Sequence, residues 1–298
     1  MKIVVGASSF AGSSDKAINM LLERRIEVVK NPYGRKMTED EIIGHLQGAD
    51  GLLAGLEPLN EAVFEKAPQL KAIARIGIGM DNVDIEAAKK HGIKVSNTPD
   101  APTAAVAEMA LAALLTMGHE IIPSNRDVHQ KVWKKRIGFS LNGLNVLFIG
   151  YGRIGRRFAE HLKYFGSNIS VYDPFQPDIS EPDLGEALKK ADVITVHASG
   201  NEEILSAGLF SCIREGAVVM NCSRGALINE DALYEGLKSG KISQYWGDVF
   251  WSEPYEGKLL ECDNAVLTPH ISTYNSLCRE SMETEAVKNI LEDLGCVE

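Results

Sequence analysis

Short apolar runs alternate with segments of helical spacing along almost the whole chain. In the first hundred residues Lys2–Val5, Glu27–Val29, Gly51–Ala54, Ala72–Ile76 and Lys94–Ser96 read as strands. Between them Asp15–Arg25, Thr38–Gln47, Asn60–Lys66 and Ile85–His91 carry the apolar spacing of helices. Thr38-Glu-Asp-Glu41 is a capping-box pattern and marks one helix start. Alternation of this kind builds a parallel sheet covered by helices. From Ala101 to Met117 follows a long helical run in which Glu108 is the only charge. It suits a helix buried between layers, or one that joins two domains and helps form a subunit interface.

A second alternation begins near residue 145. Strands are expected near 145–149, 168–172, 192–196, 217–221, 243–247 and 265–267, and helices over 153–165, 184–190, 230–239 and 274–294. The last helix has no strand of its own to cross over to, so it is expected to return to the N-terminal unit. The predicted fold is α/β, with two doubly wound parallel-sheet domains. One is discontinuous, 1–98 plus 272–298, and the other spans 99–271.

One stretch narrows the second domain further. The apolar run Val146–Ile149 leads into Gly150-x-Gly152-x-x-Gly155, and a second strand-like run ends at Asp173, 18 positions after Gly155. Strand, glycine turn, helix, strand and acid is the order of a dinucleotide site. The glycines permit the turn and the approach of a pyrophosphate, and the helix N-terminus offers N–H groups and a positive dipole end. Asp173 can accept bonds from both ribose hydroxyls and would repel a 2′-phosphate, which favours NAD over NADP. A plain strand-to-helix turn is the competing account.

Composition adds limits. The chain has 298 residues, 45% hydrophobic and 24% charged, enough for about two domains of ordinary size. A net charge of −10 argues against nucleic acid as a partner, because a phosphate backbone demands a basic face. The opening Met-Lys-Ile-Val-Val-Gly lacks signal-peptide anatomy, and no run of eighteen apolar residues occurs. No membrane association and a cytoplasmic location are expected. Five scattered cysteines without a C-x-x-C pair read as reduced thiols, so neither a disulfide framework nor a metal site is expected.

Ligands of open parallel sheets lie beyond the carboxyl ends of the strands. That rule gathers Asp173, His197, Cys222-Ser223-Arg224, Asp248 and His270 into one candidate crevice. Reduction of a 2-oxo acid takes a hydride to carbon and a proton to oxygen. An imidazolium can give that proton, and a neighbouring carboxylate favours its charged form and fixes the ring. A guanidinium can hold the substrate carboxylate through two parallel bonds and polarise the carbonyl. His270, Glu253 and Arg224 have the chemistry for these tasks. Taken singly, Glu253 also suits a surface-loop acid, Arg224 a capping or solvated residue, and His270 a structural histidine.

Several stretches are shared with a known family. They are Ile76-Gly-Ile-Gly-Met-Asp-Asn-Val-Asp84, Val95-Ser-Asn-Thr-Pro99 with Val106-Ala-Glu108, and Phe148-Ile-Gly-Tyr-Gly-Arg-Ile-Gly155. Asn221-Cys-Ser-Arg-Gly225, Asp248-Val-Phe-Trp-Ser-Glu-Pro254 and Leu267-Thr-Pro-His270 complete the set. Over nearly its full length the chain resembles the D-isomer-specific 2-hydroxyacid dehydrogenases, the phosphoglycerate-dehydrogenase-like members most. The resemblance implies a flavodoxin-like substrate domain and a Rossmann NAD-binding domain with a cleft between them. It also implies a homodimer formed through the nucleotide domain. By position Arg224, Glu253 and His270 match the catalytic Arg, Glu and His. Cofactor contacts fall on Gly150, Gly152, Arg153, Ile154 and Gly155 at the pyrophosphate, and on Asp173 at the ribose. Others fall on Ala198 at the adenine, on Cys222 and Ser223 near the nicotinamide, on Asp248 at its carboxamide, and on Ile78. Gly77 and Gly79 would meet the substrate carboxylate beside Arg224.

The chain departs from the family pattern in places. Ser199 stands where a proline is usual, and Ile271-Ser-Thr-Tyr274 replaces a glycine-rich stretch. Tyr274 and Trp251 either line a pocket or pack elsewhere. Arg75 stands where phosphate-binding members place an anion-holding arginine, or else pairs with Asp81 or Glu57. The companion loop, Gly55-Leu-Glu57-Pro58, is acidic where a base would help. Since the chain stops at Glu298, no regulatory domain is expected to follow. The expected activity is NAD-dependent interconversion of a D-2-hydroxy acid and its 2-oxo acid, with D-3-phosphoglycerate, hydroxypyruvate or glyoxylate as candidate substrates. A NAD(H)-sensing, corepressor-like binding protein on the same fold is the alternative, and formate or phosphite oxidation a further one.

Overall fold

The computed structural model describes residues 1–296. Residue contacts divide the chain into two compact units: Met1–Pro102 with the segment from Thr273 on, and Thr103–Ser272. The elements in chain order are β1 (Lys2–Val5), α1 (Lys16–Leu22), β2 (Glu27–Val29), α2 (Glu39–His45), β3 (Gly51–Ala54) and α3 (Glu61–Glu65). They continue with β4 (Ala72–Arg75), α4 (Ile85–Lys90), β5 (Lys94–Asn97), α5 (Pro102–Gly118) and α6 (Ile121–His129). Next come β6 (Asn145–Ile149), α7 (Arg153–Tyr164), β7 (Asn168–Tyr172), α8 (Leu184–Lys190), β8 (Val193–Val196) and α9 (Ala207–Phe210). The last are β9 (Ala217–Asn221), α10 (Glu230–Ser239), β10 (Ile242–Gly247), β11 (Ala265–Leu267) and α11 (Ser276–Asp293).

The first unit holds a parallel sheet in the order β2-β1-β3-β4-β5. Polar side chains start its helices. Thr38 accepts the Glu41 N–H while the Glu41 carboxylate accepts the Thr38 N–H, closing the box read from the sequence. Asn60 and Asp84 cap α3 and α4 by accepting the N–H of Val63 and of Ala87. The core under the sheet joins Val4, Leu52 and Ile73 to Ile42, Phe64 and Ala88 from the helices. α11 belongs to this unit and packs on α1 and on β3, β4 and β5.

The second unit holds a parallel sheet in the order β11-β10-β9-β8-β6-β7. Its central strands are buried on both faces, which is why they read as unbroken apolar runs. Leu147, Ile149, Ile194, Val196 and Val219 enter one core, while Val146, Phe148, Val193, Val218 and Met220 enter the other. Each such side chain contributes roughly 1.5–3 kcal/mol relative to exposure. α5 lays Ala107, Ala110, Ala113, Leu114 and Met117 on the second of these cores.

Two helices escaped the sequence reading. α6 buries no residue and offers only Ile121, Ile122 and Val128 as large apolar positions, and α9 is a single turn. Among the described residues no single helix is long and apolar enough to cross a membrane. α5 and α6 reach that length and composition only together, across a 57° bend.

Candidate active site

The order of the second sheet reverses between β6 and β8, and the glycine turn leaves β6 at that point. Gly150 takes φ +87, and a Cβ there would fall 2.5 Å from the Ala198 nitrogen, so only glycine serves. Gly152 is the N-cap of α7 and no side chain caps this end, which leaves the first-turn N–H groups, including those of Arg153 and Ile154, facing outward. Gly155 lets α7 settle against the Gly150 carbonyl and His197. Asp173, 7% exposed, accepts the Tyr151 N–H at 2.8 Å and ties the turn to the end of β7.

The other strand ends carry the proton-transfer candidates. His270 lies just past β11 with φ +53, and its Nδ1 stands 3.0 Å from Glu253 Oε2. Both groups keep partial access to solvent, at 43% and 36%. Burial raises the Glu253 pKa, but the His270 bond and charge, the Phe250 N–H and the Arg224 charge outweigh it, so its carboxyl titrates below the usual range. Arg224 follows β9; its guanidinium donates to the Ser223 carbonyl at 2.7 Å. The Asn221 amide binds this corner from inside, donating to the Arg224 carbonyl and accepting from the Ser223 N–H and hydroxyl.

Asp248 is 1% exposed, and four donors surround its carboxylate: Thr268 Oγ1, Ile271 N, Ser272 N and Ser272 Oγ, at 2.5–2.9 Å. All come from the segment that carries His270. About four lone-pair sites is all a carboxylate has, so these bonds compete with the carboxamide contact expected of Asp248. The same four bonds make Asp248 a holder of the His270 segment. The sequence offered no sign of this, since the partners lie 20 to 24 residues away.

Cys222 and His197 form a partly buried pair beneath the turn, Sγ to Nδ1 at 3.6 Å. His197 stacks on Phe148 with centroids 5.5 Å apart and bonds Thr195 through Nε2. Burial lowers its pKa to about 3, so the ring is neutral. Burial and then the Asp248 charge push the Cys222 thiol up to about 12. Neither group can move protons near neutrality. Their place is to support the turn from below.

A family model described as D-isomer specific 2-hydroxyacid dehydrogenase, NAD binding domain, matches residues 111–272. The chain belongs to that family. A hydroxypyruvate reductase from Thermotoga maritima is 33% identical over 295 residues, covering 94% of this chain and 96% of that protein. A D-3-phosphoglycerate dehydrogenase from Methanocaldococcus jannaschii is 36% identical over 274 residues, or 86% of this chain, which spans only 52% of that relative's length. The crystal structure of the TT0316 protein from Thermus thermophilus superposes with a TM-score of 0.90 at 31% identity, covering 100% of this chain and 98% of that one.

Within this family's frame, the residues expected at the substrate in the first unit follow β3 and β4. Gly77, at φ +138, donates its N–H to Thr98 Oγ1 at 2.8 Å, a bond that competes with a substrate carboxylate. The Ile78 carbonyl accepts from Asn97 at 2.8 Å, which pins the loop leading to Gly79. Arg75 donates to the Ile76 carbonyl and lies over Gly77. Glu57, expected as an acid opposing phosphate, is fully buried. It lies on Gly6 and accepts the Gly55 N–H at 3.0 Å, and burial raises its pKa against the smaller pull of Arg75. Trp251 donates to the Ile228 carbonyl and packs on Tyr255, so it belongs to the core edge. Tyr274 covers Arg279, 5.2 Å from its guanidinium carbon.

Among the described residues no group of three or more His, Cys, Asp or Glu is placed to hold a metal ion.

Proposed function

We propose that this chain is an NAD-dependent oxidoreductase that interconverts a small D-2-hydroxy acid and its 2-oxo acid. The observation that carries the reading is the 3.0 Å bond between His270 Nδ1 and Glu253 Oε2. It fixes the ring and leaves Nε2 to give a proton to the carbonyl oxygen, or to take one from the hydroxyl in reverse. Arg224 holds the substrate carboxylate with its planar fork and polarises the reacting oxygen. NAD supplies the hydride carrier when bound. Gly150, Gly152, Arg153, Ile154 and Gly155 receive its pyrophosphate at the helix terminus, and Asp173 its adenosine ribose. Ala198 lies beside the adenine, and Cys222 and Ser223 near the nicotinamide.

For the substrate, a small unphosphorylated acid such as hydroxypyruvate or glyoxylate ranks ahead of a phosphorylated one. Arg75 is turned onto its own backbone, and the carboxylate of Glu57 lies within its field. A phosphate would have to compete with both.

A second copy of the chain is the proposed partner. Trp133 and Ile137 are 86% and 97% exposed, and with Ile121, Val128 and Val132 they form an apolar stretch of the second unit. Five unpaired cysteines support a reducing compartment, the cytosol. Light scattering tests the dimer, and a monomer at micromolar concentration would end that part.

The activity is tested by following NADH absorbance with hydroxypyruvate, its phosphate, glyoxylate and pyruvate. Turnover of an unphosphorylated acid is expected. No turnover of any would shift support to the NAD(H)-sensing reading, and a preference for the phosphate would sink the substrate ranking.

A further inference from the structure

The ribose end of the nucleotide unit holds more than an acid. The Asp173 carboxylate already accepts three bonds: Oδ2 from the Tyr151 N–H at 2.8 Å and from Gln176 Nε2 at 3.1 Å, and Oδ1 from the Phe175 N–H at 2.9 Å. With about four lone-pair sites on a carboxylate, little is left for a ribose diol until Gln176 withdraws. The same Gln176 amide donates to the Tyr151 carbonyl at 2.7 Å, and its Oε1 accepts from Arg156 Nη2. Arg156, in the first turn of α7, is exposed. It is held by a second bond, Nε to the Tyr151 carbonyl at 3.0 Å, and by the face of the Tyr151 ring, 5.6 Å from its guanidinium carbon. A cation is thus fixed at the rim of the acid's pocket and joined to the acid through one amide.

An isolated carboxylate at this position would exclude a 2′-phosphate by like-charge repulsion. Here a guanidinium and an amide NH2, both donors, stand on the same spot. We propose that Arg156 and Gln176 act with Asp173 as cofactor-specificity residues, so that the nucleotide unit accepts NADPH as well as NADH with only modest discrimination. With NADH, Gln176 swings off Oδ2 and the ribose hydroxyls take its place. With NADPH, Gln176 and Arg156 donate to the 2′-phosphate and offset the charge of Asp173. The inference rests on the nicotinamide-dinucleotide reading of this unit.

The test is fluorescence titration of the full chain with NADH and with NADPH at low ionic strength. Arg156→Gln should weaken NADPH about five- to tenfold and NADH less than about twofold. Gln176→Ala should weaken NADPH by less, and leave NADH unchanged or slightly tighter, because the amide no longer occupies Asp173 Oδ2. The double variant should be no weaker than Arg156→Gln alone, because the two side chains form one network. Asp173→Asn, the control, should strengthen NADPH and weaken NADH. Equal weakening of both cofactors by Arg156→Gln would place that arginine at the shared pyrophosphate and overturn the proposal. No effect on either cofactor, or additive single effects, would overturn it as well. A wild-type chain that bound neither cofactor would remove the nucleotide assignment itself, an outcome distinct from these.

Discussion

The two sheets of this protein reverse their strand order in the same manner, yet the crevices at the reversals differ. In the second unit the loops after β6 and β8 meet where Gly150 touches Ala198, and the helix end above them is uncapped. A carboxylate from the neighbouring strand, Asp173, stands at the rim. In the first unit the loops after β1 and β3 also meet closely, Gly55 against Ala7. There Glu57 comes from the loop itself, lies on Gly6, takes the Gly55 N–H and is wholly buried. Asn82 locks the same loop by donating to the carbonyls of Gly55 and Glu57. Topology therefore names where a ligand can go, and the loop's own side chains decide whether there is room. One crevice is kept for a guest, and the other is closed by a resident acid.

The contrast can be broken most directly at His270. If the chemistry belongs to the strand ends of the second unit, His270→Ala should cut turnover by about two to four orders of magnitude. NADH binding measured by fluorescence should stay nearly unchanged, and a loss of binding instead would refute the assigned role.

Gly6→Ala probes the closed crevice, because a Cβ there would overlap the Glu57 carboxylate. A cost of about 1–3 kcal/mol in denaturant unfolding is expected, with NADH affinity unaltered. Unchanged stability would mean that Glu57 does not need its buried seat.

The pH response should separate the two regions by sign. An unperturbed histidine ionises near 6.5, whereas His197 does so only at about 3. Its neutral ring contributes fully above pH 6.5, and that contribution drains away as pH falls toward 3. Glu57 runs the other way. Its folded pKa lies above the ordinary 4.5, so its contribution is complete below that value and is lost as pH rises through the raised one. Urea midpoints between about pH 7 and pH 4 should therefore decline less steeply in His197→Gln, by at most about 1.4 kcal/mol per pH unit. Glu57→Gln should decline more steeply than wild type. Parallel slopes in all three proteins would dissolve the contrast. The smallest effect concerns Cys222, whose thiol is held up to about 12. Iodoacetamide at about pH 8 should leave it unlabelled in mass spectra of the native protein, and rapid labelling would show that the support beneath the turn is open.

Much of this was legible in the chain itself. Apolar runs bounded by glycine and polar residues are strands because strands buried on two faces need nothing else. Thr38 with Glu41 announced a helix start because capping is local. The Gly150 turn and the acid at 173 could be read because each part of that site is contiguous or at fixed spacing. What periodicity could not reveal was α6, which buries nothing, or the place of Glu57, which looked like a loop acid.

From sequence alone came the class of fold, the cofactor and three side chains with chemistry suited to the proposed reaction, since these depend on residue types and on short-range order. Only the folded chain decided what those side chains are bonded to. Asp248 holds the His270 segment through four hydrogen bonds that its position in the chain does not announce. Gln176 and Arg156 join Asp173 in one hydrogen-bonded network, and Glu57 is buried against Gly6. All three rest in part on contacts between loops after different strands, twenty or more residues apart, which form only when the sheet brings those strand ends side by side.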